Sequence, residues 1–266
     1  MLFEKMEEMI PAFFKPWTRY LILVFIIYLI FKKYGASHIQ PWFLSTVYTP
    51  LCAIHHKSIK ELQRKHFEQM KDHKSSDPEL RKKGILRILE IGPGPGYNFE
   101  FYPPKSQLSV VEVNPFFEEE FFKKQVDHPH IKMDRFIVGF AENMKDVPDN
   151  SVDVVVSSCV LCSVRSVEGA LKEVHRVLVP GGKYYYWEHI RDFEYGWVRF
   201  LQHLFTYTYH DLVFGCSLNR VSDRIIETNK CGFTQIDQKL IKTPLNKGFH
   251  SLYVCIASVV LGIATK

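Results

Sequence analysis

Glu90-Ile91-Gly92-Pro93-Gly94-Pro95-Gly96 sets three glycines at alternate positions directly after an apolar run. Glycine is required where backbone must bend sharply and meet a ligand with no Cβ in the way. The spacing is G-x-G-x-G, and Tyr97 stands where a nicotinamide dinucleotide site would have its third glycine. No Gly-Lys-Ser/Thr follows, so a phosphate P-loop is excluded as well. Twenty-two residues past Glu90, Glu112 lies in Val110-Val111-Glu112-Val113-Asn114. A carboxylate at the end of a second strand can accept both ribose hydroxyls of a nucleoside. A surface glutamate is the plainer alternative, and the apolar residues before it favour the ribose role.

Histidines suited to proton transfer are His189, His210 beside Asp211, and His250. His189 would face the ligand edge at a strand end. A lone histidine is as readily a structural hydrogen-bonding group, and sequence adjacency does not make His210 and Asp211 a catalytic pair. Cys159 and Cys162 form C-x-x-C with no second pair, so no closed metal-ligand set is legible and no metal is expected. These cysteines are expected to line an acceptor site. The segment from Trp197 to Phe214 is rich in aromatics and reads either as an apolar lid over that site or as a helix packed on the sheet.

These residues need elements to position them. From Ile85 onward, short apolar runs alternate with amphipathic helices. Strands are expected at Leu86 to Ile91, Leu108 to Val113, Phe136 to Val138, Val152 to Ser157 and Lys183 to His189. Helices are expected at Pro115 to Val126 and at Val167 to Leu178, the latter striped by Val167, Ala170, Leu171, Val174 and Leu178 and ended by Pro180-Gly181-Gly182. Alternation of this kind implies an α/β fold: a doubly wound, mostly parallel sheet with its ligand outside the carboxyl ends of the strands.

Strand-E-x-G-x-G-x-G resembles the first motif of the class I S-adenosylmethionine-dependent methyltransferases, whose Rossmann-like sheet has seven strands. Gly139-Phe140-Ala141-Glu142-Asn143-Met144, Asp149-Asn150-Ser151-Val152-Asp153 and Glu173 through Gly182 match later motifs of that superfamily in order. Four segments are similar to one branch: Asn98 to Pro104, Val160-Leu161-Cys162-Ser163-Val164, Glu188-His189, and Phe214 to Arg220. That branch comprises membrane-anchored proteins regarded as alkyl thiol S-methyltransferases of the endoplasmic reticulum and lipid droplets. The resemblance covers roughly residues 84 to 254. It implies S-adenosylmethionine as cofactor, held by Glu90, Gly92, Gly94, Gly96, Glu112, Asn114, Ala141, Glu142 and Ser158. It also implies a small lipophilic acceptor near His189, His210 and Asp211. The sequence departs from the family at Pro93 and Pro95, which remove two backbone donors, and at Glu112, where relatives often carry Asp. Phe140 replaces an adenine-binding Asp, with Glu142 as the substitute. An apolar tail, Val259 to Ala264, extends the final strand.

A thiol acceptor limits what the protein must supply. The sulfonium is an activated leaving group, so methyl transfer is one in-line displacement, and a few per cent of an ordinary thiol is ionised at neutral pH. Position then matters more than a strong base.

Before the catalytic pattern, Tyr20 to Phe31 is an unbroken run of twelve apolar residues between Trp17/Arg19 and Lys32/Lys33/Tyr34. Counted from Trp17 to Tyr34 it would reach about 27 Å as a helix, marginal for a bilayer. Glu4, Glu7 and Glu8 do not suit a signal peptide, and a core helix leaves a segment apolar on every face unexplained. A membrane anchor fits the aromatic and cationic flanks. Residues 55 to 83 hold nine Lys/Arg against five acids, most of the chain's net charge of +5. They read as a basic amphipathic helix, with Ile59, Leu62, His66 and Met70 on one face, followed by a linker. Such a stretch favours an anionic membrane over nucleic acid as partner and a cytosolic catalytic domain. The expected organisation is an anchor at 1–54, this basic segment at 55–83 and the catalytic domain at 84–266. With 46% hydrophobic and 24% charged residues the chain is neither disordered nor coiled coil, and six scattered cysteines are no disulfide framework.

Overall fold

A computed structural model describes residue 26 and residues 49–212, 215–244 and 254–266. The apolar run Tyr20 to Phe31 (apart from Ile26), Phe214 and His250 lie outside the described residues. No helix among the described residues is long and apolar enough to cross a membrane.

Leu51–Lys266 forms one compact unit built on a seven-stranded sheet. Its strands are β1 (Leu86–Ile91), β2 (Ser106–Glu112), β3 (Ile131–Val138), β4 (Val152–Ser158), β5 (Leu178–His189), β6 (Gln235–Lys242) and β7 (Ser258–Thr265). The spatial order is β3-β2-β1-β4-β5-β7-β6, with β7 antiparallel to both neighbours and the other pairings parallel. The order reverses between β1 and β4, so a crevice opens outside their carboxyl ends.

β1 and β4 are buried along nearly their whole length, which is why they read as continuous apolar runs. Alternate residues face opposite layers. Leu89, Ile91, Val111, Val155 and Tyr184 meet one apolar cluster, whereas Ile88, Val110, Val154, Val156, Tyr185 and Trp187 meet the other. Helix α1 (Thr49–Phe67) and the 3-10 turn after it cover the second layer through Ile59, Phe67 and Met70. The expected face is corrected at one position. Leu62 is exposed, and Gln63 is buried in its place with Ile59, His66 and Phe67. Residues 59, 63 and 66 follow the helical period, and Leu62 lies about 70° from the centre of that line, at its edge. After the short helix α2 (Pro78–Lys83), Arg87 holds buried Asp153 through two side-chain hydrogen bonds, 3.0 and 2.9 Å, tying β1 to β4.

The segment from Pro115 begins as a 3-10 turn and continues as α3 (Glu118–Gln125). The striped helix is α4 (Val167–Val177), capped by Ser166, whose hydroxyl accepts from Gly169 N–H at 3.0 Å. It ends one residue before Leu178, which opens β5 ahead of the Pro-Gly-Gly turn. β3 is five residues longer at its start than the apolar letters suggested, because Lys132, Asp134 and Arg135 sit exposed on an edge strand. Val259 to Ala264 is no appendage. It is the body of β7, inserted between β5 and β6. Helices α5 (Gly196–Leu212) and α6 (Ser222–Glu227) follow β5.

Candidate active site

The glycine loop leaves β1 in the left-handed region at Gly92, Gly94 and Gly96, with φ of 61°, 52° and 83°. All three amides are spoken for: Gly92 N–H donates to Val111 O (2.8 Å), Gly94 N–H to Glu112 Oε2 (3.0 Å) and Gly96 N–H to Pro93 O (2.9 Å). The loop therefore closes on its glycine donors, while Pro93 and Pro95 stiffen it by fixing φ. A Cβ at Gly96 would stand 2.2 Å from the Phe99 ring, so packing demands glycine there. A Cβ at Gly94 would meet nothing within 4 Å. That bare backbone facing open space is where a ligand can lie close.

Glu112 is buried and accepts from Gly94 N–H through one oxygen and from Asn114 N–H (2.9 Å) through the other. Each oxygen keeps a lone pair for a ribose hydroxyl. Asn114 uses its side-chain oxygen to cap the next turn at Phe116 N–H (3.2 Å), so its role is partly structural. Glu90 is fully buried, and Asn98 Nδ2 donates to its Oε1 at 2.7 Å and to Ser158 Oγ at 3.1 Å. The Tyr102 phenol lies beside Glu90, and Glu90 Oε2 and Tyr102 Oη are buried with no other partner among the described residues. Burial pushes Glu90 up to about 7. An orphaned acceptor beside an open glycine loop suits the cationic amino-acid end of S-adenosylmethionine, so these residues fit that cofactor.

Ala141 is buried in the cluster that also holds Val111. Glu142 does not stand free to meet an adenine. Its Oε1 accepts from Arg165 N–H and from Ser166 N–H (3.1 Å), fixing the entry to α4, and only its second oxygen remains. Phe140 is half exposed, with the Arg165 guanidinium 4.7 Å from its ring centre.

At the ends of β4 and β5, the structure joins residues far apart in sequence. His189 ends β5, buried, with Nε2 2.8 Å from Cys216 Sγ; the Cys216 sulfur lies 3.3 Å from Cys162 Sγ. The Cys216 contact and burial push the Cys162 thiol well above its usual range. The C-x-x-C is not a working pair. Cys162 turns inward, its thiol 3.3 Å from the Cys159 carbonyl oxygen, and Cys159 is exposed with φ of 58°. His189 is therefore buried together with two sulfurs. His210 is exposed on α5, its Nε2 lying 3.7 Å from where a Cβ of Gly215 would be. Asp211 follows it in the same helix, and its side chain lies outside the described residues.

The aromatic segment is inverted relative to a lid. Trp197, Phe200, Leu204, Phe205 and Tyr207 are exposed, whereas Val198, Gln202 and Thr206 are buried. Gln202 explains the inversion: it donates to Ile190 O (3.2 Å) and Cys255 O (2.8 Å) and accepts from Asp192 N–H (2.8 Å). Thr206 accepts from Leu218 N–H at 2.9 Å.

The family Methyltransf_11, a methyltransferase domain, matches residues 89–186. Thiol S-methyltransferase TMT1B of Rattus norvegicus is 37% identical over 196 residues, 74% of this chain and 75% of the relative. The chain belongs to the thiol S-methyltransferase family. Thiol S-methyltransferase TMT1A of Homo sapiens is 40% identical over 163 residues, 61% of this chain and 66% of that protein. Among solved structures, the Haloferax volcanii complex of the Trm112 methyltransferase activator and a methyltransferase matches with TM-score 0.59 and 13% identity, covering 85% of this chain and 96% of that one. A SAM-dependent methyltransferase of Thermotoga maritima matches with TM-score 0.52 and 19% identity, covering 89% and 98%. At those identities the likeness is one of fold.

In this thiol S-methyltransferase family member, Glu90, the glycines, Glu112, Asn114 and Ser158 converge on the β1/β4 crevice. His189 belongs to a separate buried group. Sequence reasoning gave no role to Asn98, which links Glu90 to Ser158, or to Tyr102, and it missed Cys216 as the neighbour of His189. Asn98 carries a signal in hindsight, as a polar residue between the glycine loop and Phe99. Cys216 carries none, because nothing local to it points at Cys162.

Proposed function

We propose that the protein moves the methyl group of S-adenosylmethionine to a small lipophilic thiol while resting on a membrane surface. The observation that carries the reading is the crevice at the strand-order reversal, where Gly94 presents bare backbone and Glu112 is locked beside it at 3.0 Å. Family membership supplies the acceptor class. When bound, S-adenosylmethionine supplies a methyl group on a positively charged sulfur. Glu112 orients the ribose, Glu90 and Asn98 meet the amino-acid end, and Ala141 and Phe140 border the adenine side. The protein's work is to hold two reactants in line in a dry site, worth several kcal/mol of the barrier.

Membrane association is supported by α5. Its exposed Trp197, Phe200, Leu204 and Tyr207 recur at helical spacing. Beside its start, a cavity of about 380 Å³ is lined by Arg191, Arg199 and Arg224 with Asp192 and Asp223. Exposed aromatics next to guanidinium groups suit an anionic lipid surface, and a lipophilic acceptor dissolved there would arrive at the β5 side of the sheet. By this reading the domain faces the cytosol at endoplasmic reticulum or lipid droplets, held also by the apolar N-terminal run.

The test is transfer of labelled methyl from S-adenosylmethionine to a small alkyl thiol by the detergent-solubilised full chain. Turnover that vanishes in Glu112→Ala is the expected result. Tight cofactor binding without turnover on any thiol would replace the enzyme by a cofactor-binding scaffold.

A further inference from the structure

The inward-turned sulfurs raise a question the cofactor crevice does not answer. Cys162, His189 and Cys216 come from three separate segments, and their ligand-capable atoms all lie within 4.8 Å of one another. All three residues are buried, and the ring nitrogen of His189 that faces the sulfurs, Nε2, has a Cys216 sulfur as its partner. A buried imidazole held only by a sulfur calls for an explanation such as a bound ion.

The three positions are fixed by backbone contacts. Leu161 N–H donates to Glu188 Oε2 at 2.9 Å, which holds the turn of Cys162 against the end of β5. Ser217 N–H donates to Cys162 O at 2.9 Å, which sets Cys216 beside it, and Arg220 clamps the same turn through Val164 O at 2.8 Å. His189 is seated by its pairing with Val259 in β7 and by Ile190 N–H to Ser258 O at 2.9 Å. The donors are thus presented by elements that are already rigid, as metal ligands need to be.

We propose that Cys162, Cys216 and His189 form a site for a thiophilic divalent ion of the zinc class, with its fourth position open to the acceptor thiol. The second half of this statement rests on the thiol methyltransferase reading; the first half does not. Bonds of about 2.3 Å to sulfur and about 2.0 Å to nitrogen place tetrahedral ligand atoms roughly 3.5–3.8 Å apart. The observed 3.3 Å and 2.8 Å separations are a little shorter, and shifts of about 1 Å would seat one ion. Two thiolates cancel the charge of a divalent ion, so the buried assembly is neutral, and loading releases the two thiol protons. No fourth Cys, His, Asp or Glu joins the group among the described residues. Three protein ligands and one open position are the pattern of zinc sites that bind an exogenous ligand, whereas closed structural sites take four.

At the open position an acceptor thiol would lose its proton to solvent and bind as thiolate. Its sulfur then forms the new bond to the methyl carbon as the carbon–sulfonium bond breaks. That electron pair returns to the cofactor sulfur, and the neutral thioether leaves the ion. Charge and atoms balance without a redox partner.

The test uses full-length, reduced protein in detergent, stripped with a chelator and titrated with Co²⁺. One equivalent should bind, with a near-ultraviolet thiolate-to-cobalt charge-transfer band. Cys162→Ser and Cys216→Ser should each lose most of that band while keeping S-adenosylmethionine affinity within about twofold, whereas Cys231→Ser should keep both. X-ray absorption on the zinc-loaded native protein should count two sulfurs per ion, which frees the result from variant folding. Adding 2-mercaptoethanol should raise the charge-transfer intensity if the fourth position is open. Failure of the native protein to bind Co²⁺ or Zn²⁺ while it still binds cofactor would overturn the site. An unchanged band in both serine variants would do the same. Full thiol methylation by the stripped protein would overturn the metal's part in acceptor binding and leave the proposed function standing. A loaded site in a protein that methylates no thiol would do the reverse.

Discussion

The two halves of the sheet's carboxyl edge are built by different means. At β1 and β2, the ligand-facing parts are mostly backbone: three left-handed glycines, two prolines that stiffen them and one carboxylate that clamps the loop. At β4 and β5, the parts are side chains brought from segments as distant as Cys162 and Cys216, and the helix that follows turns its polar residues inward. A site made from one short stretch of backbone serves a constant cofactor. A site made from dispersed side chains can change acceptor without disturbing that loop.

The sharpest test of this division is Glu112→Ala. It removes the clamp on Gly94 and the proposed ribose acceptor together, at about 1.5–3 kcal/mol for each charged hydrogen bond. The dissociation constant for S-adenosylmethionine, measured by calorimetry, should rise roughly 100-fold. His189→Gln in the same assay should stay within about twofold; a comparable loss would mean that the two halves are one site.

Gln202→Leu comes next. It strands the Ile190 and Cys255 carbonyls and the Asp192 amide, so denaturant unfolding should show a loss of about 2–4 kcal/mol. Little change would show that α5 does not depend on its inverted face.

A pH series sharpens the cofactor half. Burial raises Glu90 to about 7, so between its ordinary range and about 7 the unfolded chain is ionised while the folded chain holds the proton. Glu90 therefore makes the cofactor-free protein less stable as pH rises through that window. A cationic ligand favours the ionised form. Affinity for S-adenosylmethionine should thus strengthen as pH rises, weakening by up to about tenfold per unit below 7, and Glu90→Gln should flatten that slope. An equal slope in the variant would remove Glu90 from the binding site.

The smallest effect belongs to the outer face of α5. Trp197→Ser, Phe200→Ser and Tyr207→Ser should each change stability by no more than about 0.5 kcal/mol, since these side chains pack against little. Co-sedimentation of the triple variant with anionic vesicles should nevertheless fall. Unchanged sedimentation would leave the membrane contact to other parts of the chain.

What the sequence made legible follows the same division. The glycine loop, Glu112 and the stripe of α4 depend on spacing within one element, and the structure has them where the letters put them. The β4/β5 half depends on tertiary context. The aromatics of α5 read either as a lid or as a helix face packed on the sheet, and the three hydrogen bonds of Gln202 show why they point outward instead. β6 escaped notice because its exposed Gln235, Lys239 and Leu240 make an edge strand with no apolar run. Glu142 reads as wholly available from the sequence, whereas the Arg165 and Ser166 amides hold one of its two oxygens.

The interior position of β7 has a consequence for how the molecule is made. Among the described residues β6 pairs only with β7, and β5 has β7 as its second neighbour, so residues 258–265 must arrive before either strand is satisfied. During synthesis β5 therefore emerges with a bare edge carrying Tyr184, Tyr185, Tyr186 and Trp187, and it waits some seventy residues for its partner. An unpaired, aromatic strand edge invites pairing with other chains. The nascent protein carries its greatest aggregation hazard in that interval, and a chaperone that shields β5 would act there.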